Sequence, residues 1–130
     1  MQHTSKINIR FRDIDAMGHV NNAVYLTYFE EARIAMFKDM IKTEWNWKKN
    51  GVLLVKNEVE YLRPILSRDE VFITTRIEKI GTKSFDVGYV FANAQNSIIY
   101  TKGKSVLVCF DYEKQETINF PDEWRKLIEV

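Results

Sequence analysis

The stretch of residues 11–37, FRDIDAMGHVNNAVYLTYFEEARIAMF, decides the fold of this chain. It begins with polar and charged residues around a single glycine, Gly18, and then continues into a mostly apolar segment. That segment contains no Gly or Pro between residue 22 and about residue 42, and such a span would cover about 30 Å as a helix. We therefore predict one long helix that is preceded by a polar loop.

The predicted helix is apolar around most of its circumference. One line of apolar side chains recurs at spacings of three and four, and a second line runs beside it. The first line consists of Tyr25, Tyr28, Phe29, Ala32, Met36 and Met40, and the second of Leu26, Ile34, Phe37 and Ile41. A surface helix has one apolar stripe, so two lines predict burial on most sides. The charged residues within the run argue against a membrane-spanning helix.

The loop before the helix carries the residue types that acyl chemistry needs. Asp13 and Asp15 are two positions apart, so they would share one face of an extended segment. Asn21 and Asn22 are predicted to cap the helix N-terminus. The unpaired N–H groups of the first turn would stabilise a developing oxyanion. A carboxylate placed just before such groups is the minimal equipment for acyl transfer by hydrolysis.

Length and composition indicate an ordinary globular protein. The chain has 130 residues, which predicts one domain over residues 1–130 with a core that needs no disulfide. Its 19 basic and 18 acidic residues nearly balance, so we expect no nucleic-acid or anionic-membrane partner. Cys109 is the only cysteine and lies in an apolar run, which predicts a buried structural thiol. The N-terminal sequence lacks an apolar signal region, so we expect a cytoplasmic location.

The rest of the chain predicts strands that are joined by short turns. Alternating or apolar runs predict strands at residues 7–11, 52–61, 70–79, 84–94 and 97–111. Gly103 would mark a bulge in the last strand, and Pro121 would precede a short C-terminal helix. Sequential strands with short turns favour an antiparallel sheet, so the fold class is α+β. Burying the long helix then requires a strongly curved sheet, a second subunit, or both.

Several motifs together resemble those of the hotdog-fold acyl-CoA thioesterases, in the 4-hydroxybenzoyl-CoA thioesterase-like family. The first is DIDAMGHVNN at residues 13–22, followed by Tyr25 and then by Glu30, Ala32 and Arg33. The later landmarks are EYLRPI at residues 60–65 with Asp69, and IGTKSF at residues 80–85. The resemblance covers nearly the whole chain, in the family's order.

This resemblance implies a curved antiparallel sheet around one central helix, and a homodimer or homotetramer with active sites at the subunit interface. It implies that Asp15 is the catalytic carboxylate, acting as nucleophile or as general base for water. A backbone N–H at or beside Asn22 would polarise the thioester carbonyl. The residues expected to form the oxyanion site or to position the substrate are Gly18, His19, Val20, Asn21, Asn22 and Tyr25. The implied substrate is an acyl-CoA, with no cofactor and no metal.

Structural alternatives accompany each of these roles. Asp15 could instead cap the turn at Gly18 or pair with Arg12, and His19 could have a neutral structural role rather than position water or the carboxylate. Asp13 is expected to order the loop through backbone N–H groups.

Two further pairs of charged residues are expected to have structural rather than catalytic roles. Glu30 and Arg33 are expected to form a structural ion pair or, failing that, to line the pocket. Glu58 and Glu60 are expected to lie on a solvated strand face. Binding CoA phosphates requires basic groups, for which the candidates are Arg63, Lys79 and Lys83, together with Ser84.

The sequence thus predicts an acyl-CoA thioesterase. Two alternatives remain open at this point. The HVNN run of residues 19–22 also resembles acyl-ACP thioesterases, and a non-catalytic hotdog module that binds acyl groups would have the same fold. A metal enzyme or a serine or cysteine hydrolase fits poorly, because the two histidines lie far apart in sequence and Cys109 lies in a strand-like run.

Overall fold

A computed structural model describes residues 2–42 and 44–128; the ends of the predicted domain, at residues 1 and 129–130, lie outside the described part. The strands are β1 (Gln2–Lys6), β2 (Asn50–Tyr61), β3 (Val71–Ile80), β4 (Ser84–Asn93), β5 (Ile99–Asp111) and β6 (Glu116–Thr117). The helices are α1 (Val24–Met40) and α2 (Asp122–Ile128), and a 3-10 turn spans Phe11–Asp13. The long helix and the four long strands after it are therefore where the sequence predicts them.

The strands form one antiparallel sheet in the order β1-β3-β4-β5-β2, with β6 pairing with β5. The register shifts in three places, between Leu54 and Lys56, between Ile77 and Lys79, and between Phe91 and Ala92. Extra residues of this kind bend a strand and increase its twist. The sheet therefore curves around α1, and the predicted α+β class with a curved antiparallel sheet is confirmed.

The core lies between the concave face of the sheet and the first apolar line of α1. Phe29 stacks on Tyr89 with ring centroids 4.1 Å apart, and it meets Phe91 edge-on at 5.5 Å. All six residues of that line are buried. Burial of each large side chain contributes about 1.5–3 kcal/mol, so this contact accounts for the position of the helix.

The second apolar line of α1 is covered only at its C-terminal end. Phe37 is buried by contacts with the rings of Trp47 and Trp124. Leu26 and Ile34, however, are 40% and 60% exposed. The prediction of burial on most sides is wrong for these two residues within one chain, because the sheet covers only one side of the helix.

The predicted strand at residues 7–11 is wrong. The first strand lies upstream, where the polar segment Gln2–Lys6 pairs with β3 along an edge of the sheet. Ile7 is buried in the core, whereas Phe11 is 98% exposed in the 3-10 turn. The alternation of apolar residues at positions 7, 9 and 11 therefore does not come from a strand. The strand that does form, β1, is polar, so no hydrophobic pattern in the sequence could reveal it.

Gly103 does not mark a bulge, because it pairs regularly with Val59 and Tyr89. The residue instead makes room for the helix: a Cβ atom at this position would lie 2.1 Å from the Cζ of Phe29. The absent side chain thus lets the Phe29 ring lie flat against the sheet. Across residues 2–42 and 44–128, neither helix has the length and hydropathy required to cross a bilayer.

Candidate active site

A tight loop before α1 presents Asp15. Ile14 and Val20 form an antiparallel bridge, and within it the Asp15 N–H donates to the His19 carbonyl at 2.8 Å. The Gly18 N–H donates to the Asp15 carbonyl at 3.1 Å. Gly18 has a φ of +81°, in the left-handed region that glycine enters without strain. The role of Gly18 in this structure is therefore to close the turn that carries Asp15.

The two carboxylate oxygens of Asp15 have different partners. Oδ1 accepts hydrogen bonds from the N–H groups of Met17 at 2.9 Å and His19 at 3.1 Å. Oδ2 accepts none from the described residues, and Arg12 forms no ion pair with the carboxylate. The turn-capping alternative thus holds for one oxygen, and the second is available for other contacts.

A cavity of about 200 Å³ adjoins the carboxylate. It lies between the loop, the start of α1 and the end of β2, and is lined by Asp15, His19, Val20, Asn22, Tyr25, Tyr61, Leu62, Arg63 and Pro64. Of the predicted positioning residues, Gly18 and Asn21 do not line it. The structure therefore brings Arg63 to the same cavity as Asp15 and the start of α1, although Arg63 and Asp15 lie nearly fifty positions apart in the sequence.

The helix opening retains an unpaired N–H. The N-cap residue is Ala23, with no side-chain cap, so the prediction that Asn21 or Asn22 caps α1 is wrong. Asn21 Oδ1 instead accepts the Ala23 N–H at 2.9 Å, and this hydrogen bond closes a turn just before the helix begins at Val24. The Asn22 N–H donates to none of the described residues, while its carbonyl accepts the Tyr61 hydroxyl at 2.7 Å. Tyr61 thus fixes the position of Asn22, which is one of the residues that line the cavity.

Tyr25 forms an aromatic wall of the cavity. Its ring stacks on Phe91 with centroids 5.9 Å apart and meets Tyr61 edge-on at 4.9 Å. Burial raises the pKa of the Tyr25 phenol, so the side chain stays neutral. The expected core position of Tyr25 and its expected place at the cavity are both observed.

Asp13 anchors the loop to α1. Its Oδ2 accepts the Arg10 N–H at 3.0 Å and the Tyr28 hydroxyl at 2.7 Å, and its carbonyl accepts the Asn21 N–H at 2.8 Å. Burial and the Asp13 carboxylate raise the pKa of Tyr28. Arg10 also pairs with Glu31 at 2.7 Å. The loop-ordering role of Asp13 is confirmed, but the sequence did not reveal Tyr28 as its partner, because Tyr28 lies in an apolar stripe typical of core residues.

No ion pair joins Glu30 to Arg33, so that prediction is wrong. Arg33 is buried and its Nη1 donates to the Tyr89 hydroxyl at 3.0 Å and to Ser105 Oγ at 3.3 Å, whereas Glu30 is exposed. The two residues point to different surroundings because the sheet covers only the Arg33 side of the helix. The alternative, that both line a pocket, is observed: they border a second cavity of about 590 Å³.

The four predicted CoA-binding candidates do not lie together: Lys79 is exposed near the end of β3, and the other three are divided between the two ends of the sheet. Arg63 is exposed at the Asp15 cavity. Lys83 contacts Thr117 at 3.4 Å, and Ser84 is next to Phe85, which packs on Phe37 near the C-terminal end of α1. At 1.5 Å per residue the helix is about 25 Å long. Within one chain, Lys83 and Ser84 therefore lie away from the Asp15 site, and their role in CoA binding stays a prediction.

Other reactive groups have structural surroundings. Burial raises the pKa of the Cys109 thiol to about 12, so it stays protonated. Glu58 is exposed, and its ion pair with Lys56 lowers its pKa; with Glu60 it lies on the solvated face of the sheet, as predicted. Among the described residues, no three His, Cys, Asp or Glu side chains are grouped so that they could hold a metal ion.

Comparisons with known proteins agree with this architecture. The profile of the thioesterase-like superfamily matches residues 9–128. The long-chain acyl-CoA thioesterase FadM of Escherichia coli is 27% identical over 126 residues, which is 96% of each chain. A Thermus thermophilus thioesterase, solved with coenzyme A and zinc, is 36% identical with a TM-score of 0.82 over 97% of this chain and 91% of that one.

A further solved structure supports the fold alone. A 1,4-dihydroxy-2-naphthoyl-CoA thioesterase from Synechocystis is 17% identical, with a TM-score of 0.87 over 98% of this chain and 96% of that one. The predictions of a hotdog fold and of a thioester hydrolase are confirmed by these matches taken together. The chain therefore belongs to the thioesterase-like superfamily, and it has the hotdog fold that its motifs predict.

Proposed function

We propose that this protein is an acyl-CoA thioesterase whose reaction takes place in the cavity beside Asp15. The observation that carries the proposal is the shared cavity of two complementary groups: a carboxylate with a free oxygen, and the unpaired N–H that opens α1. Its relatives include proteins named as acyl-CoA thioesterases and a thioesterase solved with coenzyme A. Acyl-CoA is accordingly the proposed substrate.

In the proposed reaction the thioester carbonyl accepts a hydrogen bond from the Asn22 N–H. Asp15 Oδ2 takes a proton from water, and the water oxygen bonds to the carbonyl carbon. The tetrahedral intermediate then breaks its carbon–sulfur bond, and the CoA thiolate takes the proton from Asp15. A single good oxyanion donor contributes about 3 kcal/mol to the transition state. The reaction as written needs water and the protein alone.

The same oxygen could instead attack the carbonyl carbon directly and form a mixed anhydride. Isotope labelling separates the two routes. In a single turnover in H₂¹⁸O, the general-base route places ¹⁸O in the released acid. In the nucleophilic route, water that attacks the Asp15 carbonyl carbon breaks its bond to the bridging oxygen; the acid leaves with that unlabelled oxygen, and ¹⁸O stays in the protein, where mass spectrometry of the Asp15 peptide detects it.

Replacement of the carboxylate tests the assignment. We expect Asp15→Asn to lower kcat on acyl-CoA at least a hundredfold, because the amide can neither accept the proton nor attack. Thiol release measures the rate, and circular dichroism checks that the fold is intact. Glu60→Gln is the control, since this carboxylate lies on the solvated sheet face. Full activity in Asp15→Asn would refute the proposal.

The acyl carrier is tested separately, because the HVNN run of residues 19–22 also resembles acyl-ACP thioesterases. Arg63 is an exposed cation that lines the cavity, which supports its proposed contact with a CoA phosphate. We expect Arg63→Met to raise KM for acyl-CoA with little change in kcat. A preference of more than about tenfold for a matched acyl-ACP would overturn the CoA assignment.

We further propose that two copies pair through β2. This strand is 12 residues long and lies at an edge of the sheet. Leu53, Leu54 and Val55 on it are 38%, 48% and 61% exposed, and the exposed Ile34 of α1 lines the same cavity as Leu54. A long apolar edge strand needs to be covered in a soluble protein. A second copy supplies that cover.

A further inference from the structure

The two peptide groups that flank Asn22 are held at every polar atom except the proposed oxyanion donor. The Asn21 carbonyl accepts the Val24 N–H at 3.0 Å, and the Ala23 N–H donates to Asn21 Oδ1 at 2.9 Å. The Asn22 carbonyl accepts the Tyr61 hydroxyl at 2.7 Å. Only the Asn22 N–H lacks a partner among the described residues. Because a peptide group is planar, bonds to its other atoms also fix the direction of this N–H.

Among these bonds, the one from Tyr61 alone connects the helix opening to the sheet. Tyr61 lies 39 positions from Asn22 in the sequence, whereas the other partners belong to the same turn as Asn22. The N-cap residue, Ala23, contributes no side-chain cap. A helix end that is held only by its own residues tends to fray. The Tyr61 hydroxyl therefore supplies a hold that the turn cannot supply for itself.

The position of the Tyr61 hydroxyl is itself well defined. Tyr61 is the last residue of β2, and the next two N–H groups, of Leu62 and Arg63, both donate to the Tyr100 carbonyl at 2.9 and 3.0 Å. Its ring meets the buried Tyr25 ring edge-on, with centroids 4.9 Å apart. Burial raises the pKa of the Tyr61 phenol, so the hydroxyl keeps its proton and remains a donor near neutral pH.

The segment that begins at Tyr61 also holds the loop that presents Asp15. The Ile65 carbonyl accepts the Val20 N–H at 2.8 Å, at the point where that loop returns towards the helix. One short segment of chain therefore contacts both halves of the proposed site. Its contacts set the position of the carboxylate loop relative to Asn22, and both Asp15 and Asn22 line the same cavity.

We infer that Tyr61 is a positioning residue for the proposed thioesterase reaction. Its hydroxyl holds Asn22 so that the free N–H keeps one direction relative to the Asp15 carboxylate. A donor that is already oriented requires no reorganisation when negative charge develops on the carbonyl oxygen of the substrate. This inference rests on the proposed function and adds a residue that acts on the reaction through the oxyanion donor.

Replacement by phenylalanine isolates the hydroxyl, because the ring that packs on Tyr25 is kept. We expect Tyr61→Phe to lower kcat on acyl-CoA about tenfold, the effect of one well-placed hydrogen bond, and to leave KM within about twofold. Thiol release measures both constants. A raised KM with an unchanged kcat would mean that Tyr61 contacts the bound substrate instead, and would overturn the inference. Unchanged constants alongside an inactive Asp15→Asn would also overturn it and leave the thioesterase assignment intact.

Tyr112→Phe is a matched control. The Tyr112 hydroxyl donates to the Val52 carbonyl at 2.8 Å, near the opposite end of β2 from Tyr61, and neither Tyr112 nor Val52 lines the Asp15 cavity. Each variant loses one hydrogen bond from a tyrosine to a backbone carbonyl, and urea unfolding measures what that loss does to stability. We expect Tyr112→Phe to keep kcat within about twofold. An equal loss of kcat in the two variants would indicate a general structural effect and contradict the role of Tyr61.

Backbone dynamics test the contact without turnover. We expect the ¹⁵N order parameter of the Asn22 amide to be about 0.85, as in rigid backbone, in the unmodified protein and in Tyr112→Phe, and to be clearly lower in Tyr61→Phe. An order parameter that Tyr61→Phe leaves unaltered would overturn the inference whatever the protein hydrolyses. A lowered value in a protein that hydrolyses no thioester would support the hold of Tyr61 on Asn22 and refute the proposed function.

Discussion

The two oxygens of Asp15 have different surroundings, so this residue can hold its loop and also take the chemical role proposed for it. Oδ1 accepts two backbone N–H groups of its own loop, so the carboxylate cannot rotate freely. Oδ2 is thereby directed away from those amides. An orientation that exists before the substrate arrives lowers the entropic cost of reaction. The turn-capping role and the catalytic role are therefore compatible for Asp15.

Also at the residue scale, the raised pKa of Cys109 predicts how the free energy of unfolding depends on pH. Burial raises the pKa of its thiol from 9.0 to about 12. Between these values the unfolded chain loses the thiol proton and the folded chain keeps it. The free energy of unfolding therefore falls as pH rises above 9.0, by up to about 1.4 kcal/mol per pH unit from this group.

Urea unfolding of the unmodified protein and of Cys109→Ala, between pH ~9 and ~10, measures this contribution. We expect the variant to have the shallower pH dependence, although its absolute stability is lower because of the cavity left behind. Buried tyrosines such as Tyr89 contribute equally to both proteins. Identical slopes would show that the thiol does not titrate differently in the two states.

At the scale of elements, the contact between α1 and β5 depends on the absence of a side chain. Gly103 faces the Phe29 ring, and Tyr89 stacks on the same ring from β4. We expect Gly103→Ala to destabilise the fold by about 1–3 kcal/mol, since a packed ring and a strand backbone would both have to move. Urea unfolding of this variant measures the effect.

Gly88 provides a matched control in the same sheet. A Cβ atom there would meet the side chain of Glu78, which is flexible at its far end, rather than a packed ring. Gly88→Ala should therefore cost clearly less than Gly103→Ala. Equal costs would mean that the ring contact does not determine the need for glycine at position 103.

At the scale of the whole molecule, the two edges of the sheet differ. One edge is β1, which has five residues and a polar sequence, QHTSK. The other is β2, with 12 residues and the exposed run Leu53, Leu54 and Val55. Short polar edges resist pairing, and long apolar edges invite it. The asymmetry favours association through β2 alone, which gives a two-fold pair.

A charge on β2 tests this association. We expect Val55→Lys to convert a dimer into a monomer in analytical ultracentrifugation, because two like charges would meet near the shared edge. Phe72→Lys, which places the same charge on an exposed apolar residue of the interior strand β3, should remain dimeric. A Val55→Lys protein with the mass of the unmodified one would exclude pairing at this edge.

The sequence alone determined the features that depend on near neighbours. Helical spacing from residue 24 onward, alternation in the later strands and turn residues at positions 66–69 and 81–83 predict α1 and β2 to β5. The motif around Asp15 and Gly18 predicts the loop, because a carboxylate and a left-handed glycine act within a few residues of each other. These signals are local, so they can be read without knowing the fold.

Only the tertiary structure decided which distant groups meet. Tyr28 reaches Asp13 across 15 positions, and Arg33 reaches Tyr89 across 56 and Ser105 across 72. The expected pairing of Arg33 with Glu30 failed because proximity along a helix says nothing about which side the sheet covers. Curvature and register set those distances, and they result from the summed packing of the whole chain. The two neutral partners of Arg33, Tyr89 and Ser105, are therefore evident only in the folded protein.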